Sequence, residues 1–242
     1  MTTHSPPNGS WTFTPAEFLE LISADDAGRR PSVSALGERL CASVPLPAYQ
    51  LASAVLLFLP MTPLLFMGQE WAASSPFQFF TDHDAELGPL ISKGRREEFK
   101  GFAAFADPHL LAQIPDPQAA ETFARSRLRW EEREVEPHRS TLALYTELLR
   151  LRRTDPVLRA AGRANLAVEA QGEVLVIRRW LGSSERVLLA NFAPAPVPLA
   201  KLVGAAGAPL HELRPLLRTG AAAGAADTLA GYEALLLSSA DR

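Results

Sequence analysis

Carboxylates, an imidazole and aromatic rings crowd into one stretch of this 242-residue chain. Glu70 follows directly on the apolar run Pro63-Leu-Leu-Phe-Met-Gly68, with Gln69 and Trp71 on either side of it. A carboxylate just past the C-terminal end of a buried parallel strand stands where α/β folds build ligand sites. Asp82-His83-Asp84 is a tight acid–imidazole cluster; the plainer reading of it is a turn carrying a solvated histidine. Trp71 and the rings of Phe77, Phe79 and Phe80 are either core or a platform on which a sugar face can stack. Other chemistries lack their signatures. There is no Gly-rich phosphate loop, no GxSxG elbow and no HExxH. The five histidines are scattered without metal-like spacing, and Cys41 is the single cysteine. Neither a metal nor a cofactor is expected.

The elements that must position these residues follow from periodicity. Pro47 to Leu59 reads as a helix, with Leu51, Val55 and Leu59 on one stripe and Pro60 as its stop. Pro63 to Met67 is apolar at every position, which predicts a short, fully buried parallel strand. Helix, tight turn and buried strand make half of an α/β repeat. Residues 72–137 form a long proline- and aromatic-rich excursion, predicted to hold short helices at Lys93–Phe105 and Ala119–Arg125. Arg125 to Arg139 is dense in both charge signs and reads as a solvated surface. Ser140 to Arg153 is a helix by its Leu144, Leu148 and Leu151 stripe, widened by Tyr145 and Leu149 and stopped at Asp155-Pro156. Beyond Gly162 the period falls to two. Strands are predicted at Ala164–Ala170, Glu173–Leu181, Arg186–Phe192, Val197–Leu199, Glu212–Leu217 and Tyr232–Leu237, with turns at Gln171-Gly172 and Gly182-Ser183-Ser184. They form an antiparallel meander of a size that can fold alone. Pro15 to Ser23 reads as a short helix capped by Thr14, and residues 204–226 as an Ala/Gly-rich loop.

Composition bounds the rest. Hydrophobic residues make up 47% and charged residues 21%, which is globular. A net charge of -3 argues against a nucleic-acid partner. Leu40 to Gln69 carries no charge, but Pro60 and Pro63 interrupt it, so a membrane span is not expected. One cysteine and no secretory signal point to the cytoplasm.

Several motifs, in order, carry a family resemblance. Thr62-Pro-Leu-Leu-Phe-Met-Gly-Gln-Glu-Trp71 resembles the last barrel strand of α-amylase-superfamily glycosidases. Leu36-Gly-Glu-Arg-Leu40, Ser75-Pro-Phe-Gln-Phe-Phe-Thr-Asp-His83, Glu86-Leu87, Gly94-Arg-Arg-Glu-Glu-Phe99, Ile114-Pro-Asp-Pro-Gln118, Thr122-Phe-Ala-Arg-Ser-Arg-Leu128 and Trp130 resemble the malto-oligosyltrehalose trehalohydrolase family within it. The likeness is strong over residues 35–160 and loose over 161–242.

The resemblance implies an α+β chain. Residues 1–34 are a divergent, loose segment, 35–160 the incomplete remnant of a (β/α)8 barrel, and 161–242 a small antiparallel C-terminal β-sandwich domain. It implies hydrolysis of the α-1,4 bond next to a terminal trehalose unit, in the service of trehalose biosynthesis. Retaining chemistry of that kind needs a carboxylate nucleophile and an acid/base glutamate about 5–5.5 Å apart. It also places Gln69, Glu70, Trp71, Phe80, Asp82 and His83 at the border of the sugar site, with maltooligosyltrehalose or another α-glucan as the ligand.

The strands that carry the nucleophile and the acid in this family are not expected in the chain, since such a barrel takes about 250 residues. The family's Asn-His-Asp motif is also missing: the asparagines are Asn8, Asn165 and Asn191, and none precedes a histidine. No catalytic residue is therefore assigned, and the isolated chain is expected to be inactive. Rival readings are a non-catalytic α-glucan-binding or interaction module, which could complement a separately encoded N-terminal half, and a portion of another superfamily member such as a branching enzyme. A barrel face without its neighbours would leave an apolar surface open, predicting self-association or poor solubility.

Overall fold

The computed structural model describes residues 36–99, 113–204, 210–220 and 227–239. The expected helix at Pro15–Ser23 and the whole segment 1–34 lie outside the described residues, as does part of the expected loop at 204–226.

A short helix α1 (Leu40–Ser43) leads into α2 (Leu46–Phe58). Helix α2 buries Tyr49, Leu51, Ser53, Ala54, Val55, Leu57 and Phe58, so it is covered nearly all round and runs through the core. It ends at Leu59, whose extended backbone is what a residue before proline adopts. Arg152 then serves the freed carbonyls. Its guanidinium donates to the carbonyls of Leu57, Leu59, Pro60 and Met61. Helix α3 (Leu87–Phe99) and α4 (Ala120–Ser126) follow. Then comes α5 (His138–Thr154), buried along Thr141, Tyr145, Leu148 and Leu151, a spacing that keeps one face of the helix inward. Asp155 ends α5 and caps α6 (Pro156–Arg159), accepting from the backbone N–H of Val157 and Leu158.

The remainder is antiparallel sheet. Strands β1 (Leu166–Gln171), β2 (Val174–Leu181) and β3 (Ser184–Asn191) form two hairpins, closed at Gln171 opposite Val174 and at Leu181 opposite Ser184. Both loops are two residues long and open with a glycine at positive φ (Gly172 at 59°, Gly182 at 61°), the backbone a type II′ turn needs. Strands β4 (Val197–Pro198), β5 (Arg214–Arg218), β6 (Thr228–Leu229) and β7 (Ala234–Ser238) complete it. The main sheet has the order β1-β2-β3-β7-β5, and β4 pairs with β6 in a separate ribbon.

Successive residues of the central strands serve two cores. Leu175, Ile177, Leu188, Ala190, Ala234 and Leu236 pack with α2, α5 and α6 through Leu51, Val55, Phe58, Tyr145 and Leu158. Val174, Val176, Val187, Leu189, Leu235 and Leu237 face the ribbon side, with Leu202 and Leu229. One core thus unites residues on both sides of residue 160. Among the described residues, the second layer of the expected sandwich is a two-stranded ribbon.

Two expectations need correction, and one element is new. Residues 63–67 belong to no ladder among the described residues, and Leu64 is 91% exposed. A strand apolar on both faces is buried only when neighbours flank it, and the described residues supply none. The helix expected at Lys93–Phe105 starts earlier, at Leu87, because Asp84 caps it by accepting from the N–H of Glu86 and Leu87; residues 100–105 lie outside the described residues. Strand β6 was not anticipated at all, since two residues carry no alternation to read.

Candidate functional site

Gln69, Glu70 and Trp71 form a single 3-10 turn, entered through Gly68 at φ 85° and left through Ala72 at φ 54°. A side chain at Gly68 would run into Leu128 and Ala73, so glycine is required there by space as well as by backbone. The turn is held from below by hydroxyls. Tyr49 donates to the Gln69 carbonyl at 2.5 Å, and Gln69 Nε2 donates to the Tyr145 hydroxyl at 3.0 Å. Ser53 Oγ lies 2.8 Å from that hydroxyl. Burial, with Tyr145 close by, raises the Tyr49 phenol above its ordinary range and keeps it a neutral donor. Gln69 Oε1 accepts from the N–H of Phe66. Both ends of the Gln69 amide are therefore engaged within the chain.

Trp71 is buried, and its ring lies 5.3 Å from that of Trp130, which is 55% exposed. Arg133 stacks over both rings, at 4.9 Å from Trp130 and 5.9 Å from Trp71. Two residues that sequence reasoning passed over fix this corner. His138 Nδ1 meets the Trp71 carbonyl at 2.9 Å. Glu132 accepts from both the N–H and the hydroxyl of Ser74. Burial pushes the Glu132 carboxyl up, but the Ser74 bonds outweigh this, helped by His138 and Arg129, and leave it below its usual range.

Phe80 sits in an edge-to-face row. Ring centroids are 4.7 Å apart for Phe66–Phe77, 5.8 Å for Phe77–Phe80 and 5.1 Å for Phe80–Phe123. The row joins the 69–71 turn to the loop bearing Asp82 and His83. Gln118 pins that loop: its Oε1 accepts from the Thr81 hydroxyl and the His83 N–H, and its Nε2 donates to the His83 carbonyl. Asp116 in turn accepts from Ser92 Oγ at 2.5 Å and from the Gln118 N–H, and these bonds lower its carboxyl. The side chains of Asp82 and His83 are exposed. Turn capping belongs to Asp84, whose carboxyl is lowered by the Leu87 and Glu86 N–H groups. A groove of about 460 Å³ opens beside His83, lined by Asp84, Ser92, Lys93, Arg96 and Asp116.

Among the described residues, five buried side-chain polar atoms lack a partner: Arg39 Nη2, Glu70 Oε2, Trp71 Nε1, Ser75 Oγ and Gln78 Oε1. All belong to the 67–78 loop or to Arg39, which reaches into it by donating to the carbonyls of Met67 and Ser75. The structure thus places Gln69, Glu70 and Trp71 together, places Phe80 in the adjoining row, and leaves Asp82 and His83 exposed on the loop that follows. Among the described residues no group of three metal-ligating side chains exists. No described helix is long and apolar enough to cross a membrane.

No family model matches the chain. The malto-oligosyltrehalose trehalohydrolase of Deinococcus radiodurans is 52% identical over 167 residues, covering 69% of this chain and 26% of the relative. The malto-oligosyltrehalose trehalohydrolase of Rhizobium sp. (strain M-11) is 42% identical over 176 residues, covering 72% and 28%. A crystallographically solved Salmonella typhimurium protein described as an α-amylase is 29% identical with a TM-score of 0.68, over 85% of this chain and 33% of that one. The chain spans about a quarter of the length of these trehalohydrolase relatives. It resembles the malto-oligosyltrehalose trehalohydrolases of the α-amylase superfamily, and the partial match fits a C-terminal portion of such a protein.

Proposed function

We propose that this chain is the C-terminal part of a trehalohydrolase-like glycosidase and supplies one wall of its sugar cleft. The 52% identity over 167 residues, 69% of this chain, carries the reading. In this proposal Glu70, Trp71, Phe80, Asp82 and His83 border an α-glucan. Trp71 and Phe80 hold the wall by packing, while Asp82 and His83, exposed at the rim, are free to meet hydroxyls. Gln69 acts from behind, fixing the turn on Tyr145.

The reaction would be hydrolysis of the α-1,4 bond next to a terminal trehalose unit. Such chemistry needs two carboxyls about 5–5.5 Å apart across the scissile bond, one as nucleophile and one as acid/base. No residue of this chain is assigned to either role, so the chain alone takes no covalent path and has no general acid. Incubating the purified chain with maltooligosyltrehalose and assaying for trehalose tests this. No release is expected; turnover at an ordinary enzymatic rate refutes it.

A second reading is an α-glucan-binding module without catalysis, favoured by the exposed Trp130 ring braced by Arg133. Calorimetry with maltoheptaose separates the two. Binding by the chain alone that is abolished by Trp130→Ala supports the module, and no heat argues against it.

A further inference from the structure

We infer that the 67–78 loop encloses an ordered water that joins Arg39 to Glu70, and that Arg39 thereby acts as a positioning residue for the Glu70 carboxylate. The water site rests on geometry; what Glu70 is positioned for rests on the proposed function. Arg39 lies across the neck of the loop. Its Nε donates to the Ser75 carbonyl at 2.6 Å, and its Nη1 donates to the Met67 carbonyl at 2.9 Å. Between these two points the backbone closes on itself, the Ala73 N–H donating to the Gly68 carbonyl at 2.8 Å. The remaining nitrogen, Nη2, lies against the turn just ahead of Glu70: a Cβ on Gly68 would stand 3.3 Å from it.

Arg39 Nη2 and Glu70 Oε2 are both buried, and neither has a direct hydrogen-bond partner among the described residues. Their charges feel one another. Burial pushes the Arg39 guanidinium down, and Cys41, Tyr49, Glu70 and Glu132 oppose that fall. Leaving two opposite charges enclosed without hydrogen bonds is more costly than ordering one water between them. These atoms are already covered, so a polypeptide packed on the outside of the loop does not reach them.

The neighbouring polar atoms say what can bridge the two. Ser75 Oγ, Gln78 Oε1 and Trp71 Nε1 are buried without partners as well. Ser75 is tied to Arg39 through its carbonyl, and Gln78 Nε2 donates to the carbonyl of Leu36, three residues before Arg39. Arg39 and Trp71 offer donors only, Glu70 and Gln78 acceptors only, and the Ser75 hydroxyl does both. The guanidinium repels a cation and the carboxylate repels an anion. Water is neutral, donates and accepts, and when buried makes about three such bonds.

The consequence falls on the other carboxylate oxygen. Glu70 is only half-buried, and Oε1 is not among its enclosed atoms. A carboxylate tethered at Oε2 presents Oε1 outward in a fixed direction. In the proposed function that oxygen accepts from a sugar hydroxyl, and Arg39 sets its aim without touching the sugar.

Three measurements test this. A crystal structure of the full chain should show a water within hydrogen-bond reach of both Arg39 Nη2 and Glu70 Oε2. Urea unfolding of Arg39→Met, Glu70→Gln and the double variant forms a cycle. Arg39→Met should lower the folded-to-unfolded ratio at least about fivefold more in the native background than beside Glu70→Gln. In the chain combined with the unmatched portion of the Deinococcus radiodurans relative, Arg39→Lys should raise KM for maltooligosyltrehalose at least about threefold, with a smaller change in kcat. Lysine keeps the charge, but an ammonium cannot hold two carbonyls and a water in the directions of the planar fork. A crystal with no shared water, or with Arg39 and Glu70 in direct contact, overturns the inference, and it decides even where Arg39→Met does not fold. Additive losses in the cycle overturn it too. An unmoved KM overturns the positioning role. If the combination releases no trehalose, the functional reading fails, and the crystal and the cycle decide the water bridge alone.

Discussion

Arg186 donates from Nε to Asp155 Oδ2 at 2.7 Å, and both side chains are buried, 5% and 9% exposed. The other oxygen of that carboxylate caps α6, and the Asp155 N–H closes α5 by donating to Leu151. One aspartate thereby joins two helices to strand β3. Removing one member of a buried ion pair strands the other charge, which typically costs about 3–5 kcal/mol. Arg186→Met should lower stability by that order in urea unfolding. Asp155→Ala should cost at least as much, since it also loses the cap. The double variant should recover part of the loss; strictly additive losses would show that the pair is not coupled.

A second prediction concerns paired arginines used without carboxylates. Arg152 serves the carbonyls at the end of α2, and Arg179 donates to those of Phe58, Val157, Leu158 and Ala160. Burial, then the proximity of Arg152, pushes Arg179 down to about 10, still charged at neutral pH. Arg179→Met should leave these buried carbonyls unserved and cost at least about 2 kcal/mol. Arg179→Lys should rescue little, because an ammonium cannot spread over four acceptors as the planar fork does. Full rescue by lysine in thermal unfolding would count against this account.

Gly37 and Gly162 make a matched pair. Both have positive φ, 77° and 100°. A side chain at Gly37 would collide with the backbone of Phe77, whose N–H donates to the Gly37 carbonyl, whereas Gly162 faces open space. Gly162→Ala should cost only the backbone strain, about 1–3 kcal/mol. Gly37→Ala should cost more and loosen the row at Phe77, seen as faster exchange of residues 77–80. Equal effects at the two sites would remove the argument from close approach.

The loop carrying the rim residues should be acid-labile. Asp116 and Glu132 have folded-state carboxyls below their usual range, held there by Ser92 with the Gln118 N–H and by Ser74. A depressed acid stabilises the fold above its unfolded value, about pH 4, and that contribution fades as pH falls through the lower folded value. Hydrogen exchange of residues 72–85 and 113–119, corrected for intrinsic rates, should therefore accelerate below about pH 4. Glu132→Gln should flatten the response in the first segment. An unchanged profile in that variant would show that Glu132 does not hold Ser74.

Much of the scaffold could be read from residue order, and the exceptions share a cause. The α2 stripe and its Pro60 stop, the α5 stripe ending at Asp155-Pro156, and the Gly172 and Gly182 turns are local signals, and the structure keeps them. The run at 63–67 was misread because an apolar segment states what it needs around it, not what the chain provides. The family resemblance pointed to Gln69, Glu70, Trp71, Phe80, Asp82 and His83 as the border of a site. It could not show that the Gln69 amide faces Tyr145, or that Phe80 lies within a row of rings. Gln118 and His138 escaped notice because each acts on a residue far along the chain, His83 and Trp71. The Ile114–Gln118 motif was visible, but its purpose of pinning a loop was not.

The most direct test of the central claim adds maltooligosyltrehalose to the purified chain, then to the chain combined with the unmatched portion of the Deinococcus radiodurans relative. The account predicts no trehalose from the chain alone and sustained trehalose release from the combination. Release from the chain alone at rates near the enzymatic median of about 10 per second would contradict it.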